Sequence, residues 1–277
     1  MLGPAVTRAV AGAAPLQLAT SLGLLGSVRS LVPIAGSLAS AMVAESLGWH
    51  SLFLLKACLL SGVSVLLLRV PMGGSTGTLQ SGPTAGATRR MDPVVALIAV
   101  GAVGFCALDF APAFLPYLLT SKFTTSAVPM GILDSIYNLV WAVGALPGGI
   151  LADRVGAYSV TVVGYMLTGL SRLVYPFAPS LPFVYLAGFV SAAGNCLGSN
   201  APAFAVRLLG ERRSGVAAGY FSAAVETGSL IGMMLGGVLW SKVGPVAAFI
   251  ISSLGSAWAI TCYTVAWLRH RSQCARS

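Results

Sequence analysis

Long apolar runs recur along this 277-residue chain and constrain its fold more than any other feature. A membrane-spanning helix needs about 20 consecutive, mainly apolar residues, and runs of that length alternate here with short polar breaks. Only 8% of the residues are charged and 56% are hydrophobic, whereas soluble domains carry about 25% charged residues. The short alternating segments of a membrane β-barrel are absent. The sequence therefore predicts an all-α polytopic membrane protein.

Eight transmembrane helices are predicted from these runs and the breaks between them. Residues 71–92 are rich in Gly, Ser, Thr and Pro, a composition typical of a flexible linker, here cytoplasmic. We expect residues 1–70 to hold the last two helices of an N-terminal half, 93–268 a C-terminal six-helix half, and 269–277 a cytoplasmic tail. The predicted helices span residues 18–44, 51–70, 93–119, 128–151, 159–177, 183–208, 215–240 and 246–268.

The basic residues predict the orientation of the chain in the bilayer. Arg and Lys in short loops are retained on the cytoplasmic side. A cytoplasmic C-terminus places eleven arginines inside and leaves only Lys122 and Lys242 outside. The net charge of +9 therefore reflects membrane topology, with no nucleic-acid partner, and we expect an integral protein of the plasma membrane. The eleven arginines are Arg8, Arg69, Arg89, Arg90, Arg154, Arg207, Arg212, Arg213, Arg269, Arg271 and Arg276.

The reactive residues do not form the patterns of an enzyme or a metal site. The five cysteines lack paired short spacings, and His50 and His270 have no partner residues of the kind that hydrolases use. The chain also lacks a Gly-rich phosphate loop ending in Lys-Ser or Lys-Thr. We therefore expect no catalytic residues, metal or cofactor, and no ATP-driven pump.

A weak internal repeat relates the first and seventh predicted helices. At a separation of 196 positions, Gly48 aligns with Gly244 and Gly36 with Gly232. About six spans with their loops fit into that period, as in transporters built from two parallel halves. The chain is thus expected to correspond to helices five to twelve of a twelve-helix protein, with the first four helices missing through a misplaced start, a fragment or a decayed gene.

The segment "GGILADRVG" resembles the signature loop of the major facilitator superfamily, and the match is carried by Gly149, Asp153, Arg154 and Gly156. In that family the loop joins the second and third helices of each half. Here it joins the fourth and fifth predicted helices, the matching place in a second half. Its counterpart in the first half would lie about 43 residues before Met1. Residues 211–244, and the segment "VPIAGSLASAMVAESLGW", also resemble the family's eleventh and fifth helices, so the resemblance covers nearly the whole chain.

A gating role is predicted for the Asp-Arg loop. Gly149 permits close helix approach and Gly156 a tight turn. Asp153 can bind the positive end of a neighbouring helix or a cytoplasmic arginine, an interaction that holds one conformation and is released in another. The alternative is an ordinary polar loop.

Ionisable residues inside spans are expensive and therefore functional candidates. Arg29 and Glu226 lie near the middle of their helices and are expected to face a central cavity from opposite halves. In the functional interpretation Arg29 binds an anionic group, and Glu226 or Asp109 takes up and releases a proton. In the structural interpretation Arg29 pairs with an acid and only stabilises packing. Asp134 and Asn195 complete the candidate cavity set.

Two further predictions concern packing. Gly228, Gly232 and Gly236 are four residues apart and form a smooth helix face for a neighbouring helix. Lys56 and Arg172 lie within reach of the outer interface, where long basic side chains extend to the headgroups.

The resemblance implies a secondary transporter that moves a small solute by alternating access of two halves. Arg29 favours an organic anion as the solute, and we expect proton-coupled symport or antiport by a monomer when twelve helices are present. The alternatives are drug or metabolite efflux by the same fold, or a non-functional fragment. A channel or a membrane-embedded enzyme has less support.

Overall fold

A computed structural model of the chain describes residues 18–69, 93–123, 126–209 and 214–274. The predicted linker at 71–92 lies outside the described residues. Every secondary-structure element in the described ranges is helical, which confirms the all-α fold. The α-helices are α1 (Leu18–Arg69), α2 (Pro93–Leu108), α3 (Ala111–Lys122), α4 (Val128–Val155), α5 (Ala157–Val174), α6 (Leu181–Gly198), α7 (Ala201–Leu209), α8 (Ser214–Val243) and α9 (Pro245–Cys274).

Six stretches of the described residues are long and apolar enough to cross a membrane, as judged by length and composition. Large apolar side chains remain exposed on the outer faces of the helices, as for Val32 and Met234. In water such a surface would be unfavourable, whereas lipid chains solvate it. The six stretches are Ala19–Gly48, Pro93–Lys122, Val128–Val155, Leu181–Leu208, Gly219–Val243 and Pro245–Gln273.

Two of the predicted helices, 93–119 and 183–208, are each broken into two. Asp109 and Phe110 separate α2 from α3, and Ser199 and Asn200 separate α6 from α7. A proline lies at the second position of both α3 and α7. Proline lacks an N–H, so it fits the first turn of a new helix but cannot continue an existing one. Each break leaves polar side chains at membrane depth.

Positive φ angles mark three of the helix junctions. The two segments of α1 meet at Gly48, with φ 80° and ψ 163°, and α4 meets α5 at Gly156, with φ 109°. Gly244, between α8 and α9, has φ 84°. Residues with a Cβ rarely adopt these angles. Gly48 and Gly244 are the pair aligned by the predicted repeat, and both turn the chain between consecutive helices.

The helices pack side by side in the order α1, α4, α6, α5, α9, α2, α8. One apolar cluster fills the end of the bundle near the α4–α5 junction and includes Tyr263 and Val160. A second cluster, including Phe249 and Leu133, fills the opposite end. Between these two cores the helices leave a cavity.

Candidate functional site

The central cavity has a volume of about 480 Å³, within the range of small-molecule sites in proteins. Side chains from α1, α2, α4, α5, α6, α7 and α8 line it, together with the α6–α7 break. The polar and aromatic lining residues include Arg29, Ser30, Phe105, Tyr137, Asn138, Trp141, Tyr165, Asn195, Ser199, Asn200, Phe221 and Ser222.

Arg29 and Asn195 lie where the sequence predicted, on the cavity wall. The Arg29 side chain is exposed, and no hydrogen bond or ion pair joins it to another described residue. Within the described part of the chain, Arg29 is the only charged residue on the wall. In a low-dielectric bundle, an uncompensated guanidinium gives the cavity a positive potential.

The predicted repeat relates pairs of cavity residues. Arg29 and Val225 are separated by 196 positions, as are Gly26 and Ser222, and all four line the cavity. The first segment of α1 and helix α8 therefore present corresponding faces to the same space.

Asp109 lies outside the lining set and forms a buried ion pair with Arg172. Arg172 Nε donates to Asp109 Oδ1 at 2.8 Å and Arg172 Nη2 to Asp109 Oδ2 at 3.2 Å. Arg172 Nη1 donates to Ser191 Oγ at 2.8 Å. The prediction that Arg172 extends to the headgroups was wrong, because its side chain is 3% exposed. Asp109, at the break between α2 and α3, provides a partner that the sequence of α5 alone does not reveal.

The structure also separates Asp134 and Glu226 from Arg29. Asp134 accepts a hydrogen bond from Ser37 Oγ at 2.6 Å and lines a second cleft of about 410 Å³, which Lys56 also lines. Glu226 is exposed on α8 and is not among the residues of the central cavity. Arg29 and Glu226 therefore do not face one cavity together in this structure.

Asp153 lies against the start of α1. Its Oδ2 accepts hydrogen bonds from the Thr20 N–H at 2.9 Å and the Thr20 hydroxyl at 2.6 Å, and Oδ1 accepts from the Ala19 N–H at 3.4 Å. Amides at a helix start lack intrahelical acceptors and carry a partial positive charge. Arg207, at the end of α7, pairs with the same carboxylate and donates to the Ala152 carbonyl at 3.3 Å.

Gly149, four residues before Asp153, allows the contact between Asp153 and the start of α1. Gly149 is buried, and a Cβ there would overlap the backbone of Ala19 and Thr20. The absence of a side chain thus lets α1 approach closely enough for its amides to reach Asp153. Arg154, by contrast, is exposed and makes no ion pair or hydrogen bond with another described residue.

Gly228, Gly232 and Gly236 are buried on one face of α8. An added Cβ would lie 2.5 Å from the Val103 carbonyl oxygen at Gly228 and 2.6 Å from the Cys106 carbonyl oxygen at Gly232. At Gly236 it would meet the rings of α3. These close approaches support the packing role predicted for the three glycines.

Several residues of the site were missed by sequence reasoning. The aromatic rings of Tyr137 and Trp141 line the cavity together with Asn138. Their spacing places them on one face of α4, a signal that was available but resembles ordinary core packing. Thr20 carried no signal, since its role depends on Asp153 from a distant helix.

Comparison with known proteins agrees with the family resemblance seen in the sequence. The family model of the Major Facilitator Superfamily matches residues 95–273. An uncharacterized MFS-type transporter of Methanocaldococcus jannaschii is 29% identical over 120 residues, covering 43% of this chain and 30% of that protein. An uncharacterized transporter of Rickettsia bellii is 35% identical over 81 residues, covering 29% of this chain and 20% of that protein. Multidrug resistance protein MdtG of Yersinia enterocolitica is 27% identical over 176 residues, covering 63% of this chain and 42% of that protein.

The chain spans less than half the length of each of these relatives. The family match nevertheless extends over more than half of this chain and includes α4, the Asp153 loop and α5. Apolar spanning helices and transporter-named relatives agree with it. The chain therefore belongs to the major facilitator superfamily of membrane transporters.

Proposed function

We propose that this protein moves a small organic anion across the membrane by alternating access. The observation that carries the proposal is Arg29, the one charged group on the cavity wall among the described residues. An anionic group entering the cavity gains a charge-assisted hydrogen bond there. A cation would meet an unopposed positive charge in a low dielectric, which is unfavourable.

The contact between α1 and α4 is the proposed moving joint. The first segment of α1 packs along α4, from Asp153 with Thr20 at one end to Glu45 with Ser126 at the other, where the Ser126 hydroxyl lies 3.1 Å from the Glu45 carboxylate. A joint closed by a few polar contacts at each end can open at either end in turn. We assign the end bearing Asp153 to the cytoplasm, with the C-terminus on the same side.

Proton coupling is assigned to Glu226. Protonation of Asp109 would leave the buried Arg172 guanidinium without its counter-charge, which is costly in a dry environment. Glu226 is exposed on α8, and no ion pair joins it to another described residue, so no buried guanidinium depends on its charge. We place the working protein in the plasma membrane as a monomer.

Efflux of a drug-like compound is the second candidate. The aromatic part of the cavity wall suits flat apolar molecules, and one similar protein is named a multidrug resistance protein. The two functions differ in the charge of the cargo, because Arg29 favours anions.

Transport by the reconstituted 277-residue chain tests the proposal. Proteoliposomes with an imposed proton gradient would be assayed with radiolabelled 3-phenyllactate and with the cationic dye ethidium. We expect saturable movement of the acid, loss of at least ~10-fold in rate for Arg29→Gln, since a charge-assisted hydrogen bond contributes about 1.5–3 kcal/mol, and loss of gradient dependence for Glu226→Gln. Movement of ethidium, unaffected by Arg29→Gln, would instead favour drug efflux. Unchanged transport in both variants would reject both assigned residues.

A further inference from the structure

The residues that line the central cavity leave more hydrogen-bond acceptor atoms available than their side-chain types alone suggest. Three asparagines line it, namely Asn138 on α4, Asn195 on α6 and Asn200 at the α6–α7 break. Three serines accompany them, namely Ser30 on α1, Ser199 at the same break and Ser222 on α8. Each of these side chains has both donor and acceptor atoms, so the use of the donors decides what a ligand meets.

The asparagines direct their amide nitrogens to their own helices. Asn138 Nδ2 donates to the backbone carbonyl four residues earlier at 2.8 Å, and Asn195 Nδ2 does the same at 2.9 Å. Asn200 Nδ2 donates to the carbonyl three residues earlier at 3.0 Å. A carbonyl oxygen requires a donor, so these contacts identify which arm of each amide is nitrogen. No described residue donates to the remaining amide oxygens.

Ser30 and Ser199 also use their only hydrogen-bond donor within their own backbone. Ser30 Oγ donates to the backbone carbonyl four residues earlier at 3.0 Å, and Ser199 Oγ to the one three residues earlier at 2.6 Å. A hydroxyl that donates its hydrogen can only accept from a ligand. Five oxygen atoms on the wall are thus available as acceptors, beside the Arg29 cation, the second N–H of each asparagine amide and the Ser222 hydroxyl.

We propose that the cargo is an organic anion that also carries an O–H or N–H donor next to a flat apolar group, such as an aromatic hydroxy acid. The anionic group binds Arg29, the rings of Tyr137 and Trp141 cover the apolar part, and the donor binds the oxygens of Asn138 and Asn195. This inference rests on the proposed anion transport and adds the specificity-determining residues. A plain carboxylate fills the same space but leaves the acceptors without a donor, and a site that hydrogen-bonds a ligand hydroxyl discriminates against the analogue that lacks it.

Two acids that differ by one hydroxyl test this directly. 3-Phenyllactate and 3-phenylpropionate would be titrated into the purified full chain by isothermal calorimetry in detergent. One hydrogen bond contributes about 1 kcal/mol, so we expect the hydroxy acid to bind ~5-fold more tightly. In the double variant Asn138→Ala, Asn195→Ala this ratio falls to ~1, while the Kd of 3-phenylpropionate changes by less than ~2-fold. Thr261→Ala is the matched control, because the Thr261 hydroxyl also donates to its own helix but lies outside the cavity, and it keeps the ratio.

The outcomes separate this inference from the function on which it rests. Equal affinities in the unmodified chain, or a ratio that persists in the double variant, overturn the donor requirement while anion binding stands. If Arg29→Gln leaves both affinities unchanged, or neither acid binds, the anion site itself is wrong. Retention of the elution profile of the unmodified protein shows that each variant is folded.

Discussion

Two acid–arginine pairs join helices in the described part of the chain, and they differ in what they connect. Asp109 and Arg172 are 13% and 3% exposed and lie among helices of the 93–274 bundle. Asp153 and Arg207 are 11% and 36% exposed, and Asp153 also binds the start of α1. The Asp109–Arg172 pair is buried among the helices of residues 93–274, whereas the Asp153–Arg207 pair also contacts α1.

The difference assigns separate tasks to the two pairs. A buried pair that loses one partner leaves an uncompensated charge in a dry environment, so it should persist through a transport cycle. A pair whose arginine reaches water, as Arg207 does, loses less when it separates, because water solvates the released guanidinium. The Asp153 contacts are therefore suited to breaking and reforming, and those of Asp109 to keeping the bundle intact.

The largest effect is expected for Arg172→Met. Removal of one partner from a buried ion pair costs about 3–5 kcal/mol. We expect folded yield to drop sharply, measured by size-exclusion chromatography in detergent and by thermal exposure of the buried thiols of Cys196 and Cys262.

The double variant Asp109→Leu, Arg172→Met is the control for that prediction. Replacement of the whole pair by apolar side chains is close to neutral in other proteins, so much of the stability should return. A double variant as unstable as Arg172→Met alone would show that packing, and not the unpaired charge, is responsible.

The next effect concerns the close approach of α1 to α4. Gly149→Ala places a methyl group into the backbone of Ala19, and such overpacking costs about 1–3 kcal/mol. We expect a lower thermal midpoint and reduced solute uptake. Gly237→Ala is the matched control, since a Cβ at Gly237 meets no atom within 4 Å and alanine favours the helix. Equal effects at the two glycines would contradict the close-approach role of Gly149.

A smaller loss of stability is expected for Asp153→Asn. The amide still accepts from the α1 backbone, so only the charge is lost, at about 1 kcal/mol for a pair that is partly open to water. Uptake should change more than stability, because the contact is proposed to work during opening. Arg154→Gln serves for comparison and should alter neither quantity. If Arg154→Gln matches Asp153→Asn, the loop acts by its overall polarity.

The smallest effect is expected for Thr20→Val. This change removes one hydroxyl donor to Asp153 but keeps the backbone N–H contact, which predicts a loss of about 0.5–1 kcal/mol. Uptake measured at several external pH values should keep its pH dependence. A loss as large as that of Asp153→Asn would place most of the contact energy in the hydroxyl.

The sequence predicts elements better than it predicts partners. Apolar runs located the helices because lipid imposes length and composition on each helix separately. In the described residues, six of the eight predicted spans are long and apolar enough to cross a membrane. The helix break at Asp109 depends on Pro112, a local signal that could have been used. Arg172 was misplaced because its depth along α5 says nothing about which neighbour faces it.

The cavity residues likewise divide into those that the sequence could identify and those whose place depends on packing. Arg29 was recognised as a wall residue because a charge inside a span stands out in any apolar run. Glu226 is also a charge inside a span, but it does not line the cavity. The direction of a side chain around its helix depends on packing, which the sequence of one helix does not show. The acceptor character of Asn195 could not be read from sequence either, as it follows from a hydrogen bond to its own backbone.

The three glycines with positive φ have a consequence for mutational tolerance. Gly48, Gly156 and Gly244 have positive φ angles, which D-amino acids favour, so each position should accept a D-residue introduced by chemical synthesis more readily than any L-residue. A saturation library selected for membrane expression should therefore show glycine-only positions at 48, 156 and 244, of which the first and last are separated by 196 residues. Such a scan would test whether these two positions keep a common turn although the side chains around them differ.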